Sequence, residues 1–247
     1  VDKKETINNA ESYWIKVIIP DFINEKYGDG SAYSIQQHKF YRGHFKIRNS
    51  FKTWKKTIDE KLNSAKFIYA YSTCPDCLMH DYGTNHYKVK NVIRKINSIV
   101  KELTAKHPDV LFIAISDHGM IDAEHLNIET IPGFIDTLKT DKIIVESRFA
   151  SFFVKDEKAF LNIYKNNEIL NKNFALISKK DFLNKNIFGY VNKNDINPIS
   201  TQSIGDYFLI AQNKLTLNDK YATHHLKGHH AGQMEDEYLI SLQIYNN

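Results

Sequence analysis

Asp76 and His80 stand four residues apart in the stretch T-C-P-D-C-L-M-H-D-Y-G, Thr73–Gly83. On a helical turn that spacing sets a carboxylate and an imidazole on one face, where the two can hold a single cation. Farther along, Asp117 and His118 stand before Gly119. Neighbours on a regular strand point to opposite faces, but a glycine lets the chain turn sharply enough for both side chains to converge. A third group, H-H-L-K-G-H-H-A-G-Q, supplies His224, His225, His229 and His230 around Gly228. Carboxylate and imidazole donors without an obligatory thiolate suit zinc or another divalent transition metal. Each piece also has an ordinary structural counterpart: a solvated helix face, an N-cap with its neighbour, a surface histidine patch. Position in the fold decides between the two, and position depends on the flanking elements.

Phe51, Trp54, Ile58 and Leu62 recur at helical spacing and predict a helix over Phe51–Leu62. F-I-Y-A-Y-S, Phe67–Ser72, reads as a strand. Val92, Ile93, Ile96, Ile99, Val100 and Leu103 mark one face of a helix over Val92–Leu103 that His107-Pro108 closes. V-L-F-I-A-I-S, Val110–Ser116, is apolar without alternation and predicts a strand buried on both faces. Strand, helix, strand in that order is a βαβ unit, so the expected class is α/β, a mostly parallel sheet flanked by helices. In such sheets ligands collect beyond the carboxyl ends of the strands. Asp76-x-x-x-His80 and Asp117-His118 both follow a predicted strand there.

From Ile121 to Thr223 the pattern changes. F-A-S-F-F-V (Phe149–Val154) and D-Y-F-L-I-A-Q (Asp206–Gln212) predict strands and Glu157–Tyr164 a short helix, separated by Lys, Asn and Asp. The expected organisation is a metal-binding core over 1–120 and 224–247 with a smaller α+β cap inserted at 121–223. The closing E-Y-L-I-S-L-Q-I-Y returns to the core as a strand. Phe152, Phe153, Phe188 and Tyr207 in the cap have two uses, stacking a nucleotide base or filling the cap's own core, and the second is expected.

The 247 residues are 42% hydrophobic and 25% charged, which excludes wholesale disorder. Thirty-three Lys and Arg against 29 Asp and Glu give a net charge of +4, interspersed without like-charge blocks. That pattern gives no nucleic-acid-binding module and suits a small anionic substrate. No apolar run approaches the roughly 20 residues of a membrane helix, and the first residues carry no apolar leader.

The motifs together resemble a family. Y-S-T-C-P-D-C-L-M-H-D-Y-G (Tyr71–Gly83) is similar to the P-D-x-x-x-H-x-x-G segment of the type I phosphodiesterase/nucleotide pyrophosphatase branch of the alkaline phosphatase superfamily. I-S-D-H-G-M (Ile115–Met120) resembles its S-D-H-G-M segment, and G-H-H-A-G-Q-M-E-D-E-Y-L-I-S-L (Gly228–Leu242) its closing G-x-H-G-G segment. The resemblance covers roughly Phe51 to the C-terminus. It implies a two-zinc phosphohydrolase site in which Asp76, His80 and His230 hold one metal while Asp117 and His118 contribute to the second. His229 is the alternative to His230. Cys77 and Met79 replace small residues, and Ala231 replaces the usual glycine.

In that family the second metal also takes an aspartate from an early strand, and a Thr or Ser nucleophile begins the helix after it. Only 75 residues precede Asp76. V-I-I-P-D (Val17–Asp21) ends an apolar run with a carboxylate, and Ser31 and Ser34 read as turn residues. The expectation is therefore a C-terminal portion of a longer enzyme or a truncated relative, with its catalytic nucleophile unassigned. Its substrate would be a small phosphorylated molecule. Two other readings are a thiol-disulfide oxidoreductase using Cys74-Cys77 after a strand, and a non-catalytic metal-binding module.

Overall fold

The protein is described by a computed structural model over residues 18–37, 47–185, 187, 202–222 and 226–245. Two compact units make it up, one from Val1–Cys74 and Lys95–Val110, the other from Pro75–Arg94 and Leu111–Asn246. The chain is α/β, as its alternating apolar patterns require.

In the first unit α1 (Ile18–Tyr27), β1 (Ala32–Gln36), α2 (Ile47–Leu62) and β2 (Phe67–Tyr71) follow in order. β1 and β2 pair in parallel, Ala32 against Phe67 through Gln36 against Tyr71, so α2 is the crossover of a βαβ unit. Phe51, Trp54 and Ile58 are buried along α2, and the Trp54 indole donates to the Ile35 carbonyl at 3.3 Å. V-I-I-P-D does not end a strand: Asp21 lies in the first turn of α1, and Val17 falls outside the described residues. Ser31 lies between α1 and β1 with its hydroxyl on the Tyr27 carbonyl, whereas Ser34 is inside β1 rather than in a turn.

α3 (Asp76–Tyr82) and α4 (Tyr87–Lys106) come next. The second half of α4 belongs to the first unit, and there Asp59 of α2 accepts from Lys106 Nζ at 2.6 Å and His107 Nε2 at 2.8 Å. The hydrogen bond from His107, then that from Lys106, holds the Asp59 carboxyl below its ordinary value. A depressed carboxyl stabilises the fold above its unfolded pKa, and the contribution disappears as pH falls through the folded value. The stability advantage of wild type over Asp59→Asn is therefore expected to shrink below about pH 4. Melting curves taken from pH 7 to pH 2 check this, and a constant difference would remove the pair as its source.

α4 is longer than its apolar core predicted, and its buried stripe is Val89, Val92, Ile99 and Leu103. Ile93, expected on that face, is 49% exposed because it stands one position round from Val92. The helix stops at Lys106, ahead of His107-Pro108.

The second unit continues with β3 (Phe112–Ile115), β4 (Ile121–Asp122) and β5 (Glu124–Asn127), then β6 (Ile144–Glu146) and β7 (Phe149–Phe152). The helices α5 (Glu157–Asn166) and α6 (Glu168–Asn173) precede β8 (Phe174–Ser178) and α7 (Lys179–Asn184). β9 (Tyr207–Ala211), β10 (Leu215–Asn218), β11 (Gly228–His229) and β12 (Leu242–Tyr245) complete it. Strand directions are mixed. β5 and β10 pair in parallel, while β3–β12 and β4–β11 are antiparallel. β3 is not buried on both faces: Ile113 and Ile115 are exposed and alternate with partly buried Phe112 and Ala114. β3 pairs with β12, Ile113 opposite Ile244 and Ile115 opposite Leu242, and these four apolar side chains are all exposed. Glu237 and Tyr238, expected to open the last strand, instead end a short helix, Glu235–Tyr238.

The strands β6-β7-β9-β8 form one antiparallel sheet within 121–223. The N-caps Asp156, Asn167 and Ser178 start α5, α6 and α7 through side-chain acceptors. Phe134, Phe152, Phe160, Phe174, Leu170 and Leu209 are fully buried between sheet and helices. Each such side chain contributes roughly 1.5–3 kcal/mol of burial. Phe152 therefore belongs to this buried core and Tyr207 packs against it, while Phe188 lies outside the described residues.

Candidate metal centre

Pro75 precedes α3 and fixes the chain at its entry, so Asp76 opens the helix and His80 follows one turn later on the same face. The turn after β3 carries Asp117 and His118. Gly119 allows that turn, since a Cβ there would stand 2.0 Å from the Asp236 carbonyl oxygen. β11 lies along α3, and a Cβ on Gly228 would stand 2.5 Å from the Met79 carbonyl oxygen. The Lys227 amide donates to the His80 carbonyl at 2.7 Å. Backbone contact this close fixes the register of the histidine segment against α3.

These elements bring Asp76, His80, Asp117, His118 and His230 together within the second unit. The His118 and His230 rings stack with centroids 3.9 Å apart, and those of His80 and His230 are 5.3 Å apart. His118 Nε2 lies 4.0 Å from Asp76 Oδ1 and 3.9 Å from Asp117 Oδ1. The tightest trio is Asp76, His118 and His230, whose ligating atoms all lie within 4.8 Å of one another. His80 joins through Asp76, with Nε2 3.3 Å from Oδ1. The resemblance pairs His80, not His118, with Asp76 and His230; here His118 stands closer to His230 and His80 closer to Asp76.

Tautomers can be read from the backbone. His80 Nδ1 is 2.8 Å from the Gly228 carbonyl, and His118 Nδ1 is 2.9 Å from the Gly119 carbonyl. A carbonyl only accepts, so each Nδ1 carries the proton and, in the neutral ring, each Nε2 presents a lone pair to Asp76. Asp76 Oδ1 is itself buried and has no hydrogen-bond donor; the 3.3 Å approach of His80 Nε2 lies outside hydrogen-bond geometry. A divalent cation between these converging acceptors would satisfy them together. Two donors each about 2.1 Å from a tetrahedral zinc lie roughly 3.4 Å apart, close to the His80–Asp76 separation. The backbone carbonyls behind both imidazoles are the outer partners that metal-binding histidines use. The donor set therefore fits zinc or a similar divalent ion.

Without the ion the site balances its own charges. Burial pushes the Asp76 carboxyl up, but His80, His230 and His118 outweigh it and hold it below the ordinary carboxylate range. The Asp76 contact raises His80, against the effect of burial. Burial, then the neighbouring His118, lowers His230.

Strand alternation separates the two adjacent histidines. His229 points away from the cluster, its Nε2 donating to the Leu226 carbonyl at 3.0 Å and its Nδ1 near Ser147 Oγ at 3.4 Å. Burial drives its pKa down to about 4, which fixes it as a neutral structural imidazole. His125 donates to the same Leu226 carbonyl at 2.8 Å and is itself held by Asn218. Nothing in E-H-L-N announces that role; it emerges only when β5, β10 and β11 meet. His224 and His225 lie outside the described residues. Cys74 and Cys77 are both thiols, Cys74 buried in the turn between β2 and α3 and Cys77 in the first turn of α3.

Ala231 has φ 75°, the one non-glycine residue with positive φ among those described. An L side chain there costs roughly 1–2 kcal/mol, partly offset by the greater unfolded freedom of glycine. Ala231→Gly is thus expected to stabilise the protein by about 0.5–1 kcal/mol. Thermal denaturation checks it, and a lower melting temperature for the variant would contradict the strain.

The sequence pattern of the type I phosphodiesterase / nucleotide pyrophosphatase family matches residues 7–233. The chain belongs to this family. Among solved structures, murine ectonucleotide pyrophosphatase / phosphodiesterase 5 is similar with a TM-score of 0.63 and 14% identity over 92% of this chain and 62% of its own. The human protein of the same name is similar at 0.61 and 13%, over 91% and 62%. Phosphonoacetate hydrolase from Sinorhizobium meliloti 1021, in complex with phosphonoformate, is similar at 0.54 and 14%, over 80% and 50%. At these identities the likeness is one of fold, and the chain spans less than two thirds of each relative's length. No curated protein matches the sequence. Among the described residues no helix is long and apolar enough to cross a membrane.

Proposed function

We propose that this chain is the metal-binding portion of a phosphohydrolase acting on phosphodiester, pyrophosphate or phosphomonoester bonds, with Asp76, His80, Asp117, His118 and His230 as its metal ligands. Zinc is the first choice of ion, two per complete site, with Asp76, His80 and His230 on one and Asp117 and His118 on the other. The observation that carries this reading is the buried Asp76 Oδ1, without a donor and faced by the Nε2 atoms of two imidazoles locked by backbone carbonyls. Family membership supplies the reaction class.

A divalent ion there would polarise a phosphoryl oxygen and lower the pKa of bound water toward about 7. The chain's own residues supply the orientation. Gly228 and Gly119 carbonyls hold His80 and His118 in the ligating tautomer, and Asp117 adds negative charge at the mouth of the pocket. Residues 121–223 act as a cap over the leaving-group side, with a small phosphorylated molecule as substrate. The nucleophile and the early-strand aspartate that the family uses are assigned to no residue here, so turnover by this polypeptide is expected to be weak.

Isothermal titration with zinc chloride on wild type and His80→Ala tests the site, and hydrolysis of bis(p-nitrophenyl) phosphate and p-nitrophenyl phosphate tests the reaction. Zinc affinity that falls in the variant, with slow zinc-dependent hydrolysis by wild type, is the expected result. Equal affinity in the two proteins would overturn the site. Saturable metal binding with no hydrolysis of either ester would reduce the chain to a binding module.

A further inference from the structure

Arg148 is fully buried, and so is the Glu237 side chain it faces. Its Nε and Nη2 donate to the two Glu237 carboxylate oxygens, each at 2.6 Å, while Nη1 donates to the carbonyls of Asn213 at 2.8 Å and Leu215 at 2.9 Å. A planar fork bonded this way is fixed in orientation as well as position. What it fixes is the rest of Glu237.

The Glu237 carboxylate also accepts from the amides of Gly232 at 2.8 Å and Met234 at 3.2 Å, so it ties down the chain two and four residues beyond His230. The Glu237 carbonyl accepts from the Gly119 amide at 2.8 Å, one residue beyond His118. One residue thus bonds through its side chain to the loop that presents His230 and through its backbone to the loop that presents His118. The two histidines are 112 positions apart in sequence (230 minus 118), yet their rings stack at 3.9 Å. Two neutral imidazoles in contact gain little from each other, and both face the same carboxylate. Something outside the pocket must hold the loops together, and the buried ion pair is placed to do so.

We infer that the Arg148–Glu237 pair is a positioning device, fixing the His118 and His230 loops in mutual register before any ion is present. Neither residue touches the pocket. Desolvating two charges is costly, and a buried pair is seldom the most stable choice for a core; fixing one geometry is a use that explains such a pair. The inference rests on the metal reading for the purpose of the register, while the register itself is measurable without metal.

Hydrogen exchange on the metal-free protein tests it, comparing wild type with Arg148→Met/Glu237→Met. The double variant removes both buried charges at once, so it keeps the fold where either single change strands a charge. The expected result is at least tenfold faster exchange at the Gly119, Gly232 and Met234 amides, with the β8 and β9 amides unchanged. Arg148→Lys keeps the charge without the fork and is expected to loosen the same three amides to a smaller degree. A folded double variant with wild-type exchange at those amides would overturn the inference, for example because the Gln233 amide on the Ala211 carbonyl at 2.7 Å already holds the loop. Cobalt titration followed by visible absorption is the second arm. About tenfold weaker binding with an altered band shape is expected, a loss of the size that outer partners of metal ligands produce. Identical affinity and spectrum despite loosened amides would overturn the positioning role. Failure of wild type to bind cobalt would sink the metal reading instead, and the exchange arm would then decide the clamp by itself.

Discussion

Asp76→Asn is expected to weaken zinc binding by more than about 100-fold, because even the outer partners of a metal ligand are worth roughly 10–100-fold. Asp76 is the group on which the pocket converges, within 3.3 Å of His80 Nε2 and 4.0 Å of His118 Nε2. An amide of the same shape carries no charge and aims either a weaker oxygen or an N–H donor at the ion. The metal-free protein should respond in the opposite sense. Asp76 Oδ1 is a buried acceptor without a donor, and leaving such a group unmet costs about 1–3 kcal/mol. In the variant the amide nitrogen can donate to His80 Nε2, so at pH 8 the melting temperature without metal should hold or rise. Calorimetry with and without zinc measures both arms. Undiminished zinc affinity, or a variant that unfolds without metal, would contradict this account of the pocket.

Arg148→Met should be the most damaging substitution outside the pocket, costing about 3–5 kcal/mol as the price of stranding a buried charge. The guanidinium satisfies four acceptors at once: both Glu237 oxygens and the carbonyls of Asn213 and Leu215. Methionine fills much of the space but leaves a buried carboxylate with only the Gly232 and Met234 amides as donors and takes the guanidinium from two carbonyls. For a chain of this length the loss corresponds to a fall in melting temperature on the order of 10 °C. Glu237→Met should act similarly, and the double variant should lose much less than the two single losses added together, since neither charge is then stranded. Strict additivity would mean that the two side chains are not energetically coupled, which would contradict this account of the pair.

Local chemistry made the ligand types legible. Asp76 and His80 share a face because four residues make about one helical turn, and any helix over that stretch would pair them. Asp117-His118 at the end of an apolar strand is legible in the same way, as are α2, α4, β2 and the Phe-rich strands β7 and β9. Periodicity of side chains over a few residues is set by backbone geometry alone, so it survives in the sequence.

Pairing across long separations is a different matter. His229 and His230 are equivalent as letters, and only the register of β11 against β4 and α3 turns one toward Asp76 and the other toward Leu226. Ile113 and Ile115 read as buried, yet the fold leaves both exposed beside β12. Arg148 stands out in E-S-R-F-A-S-F-F-V as a charge at the head of an apolar strand, yet its partner lies 89 residues away. Sequence therefore determined which groups are available and in what local order. The tertiary structure alone decided which of them meet, because a contact between distant residues depends on the packing of every element between them.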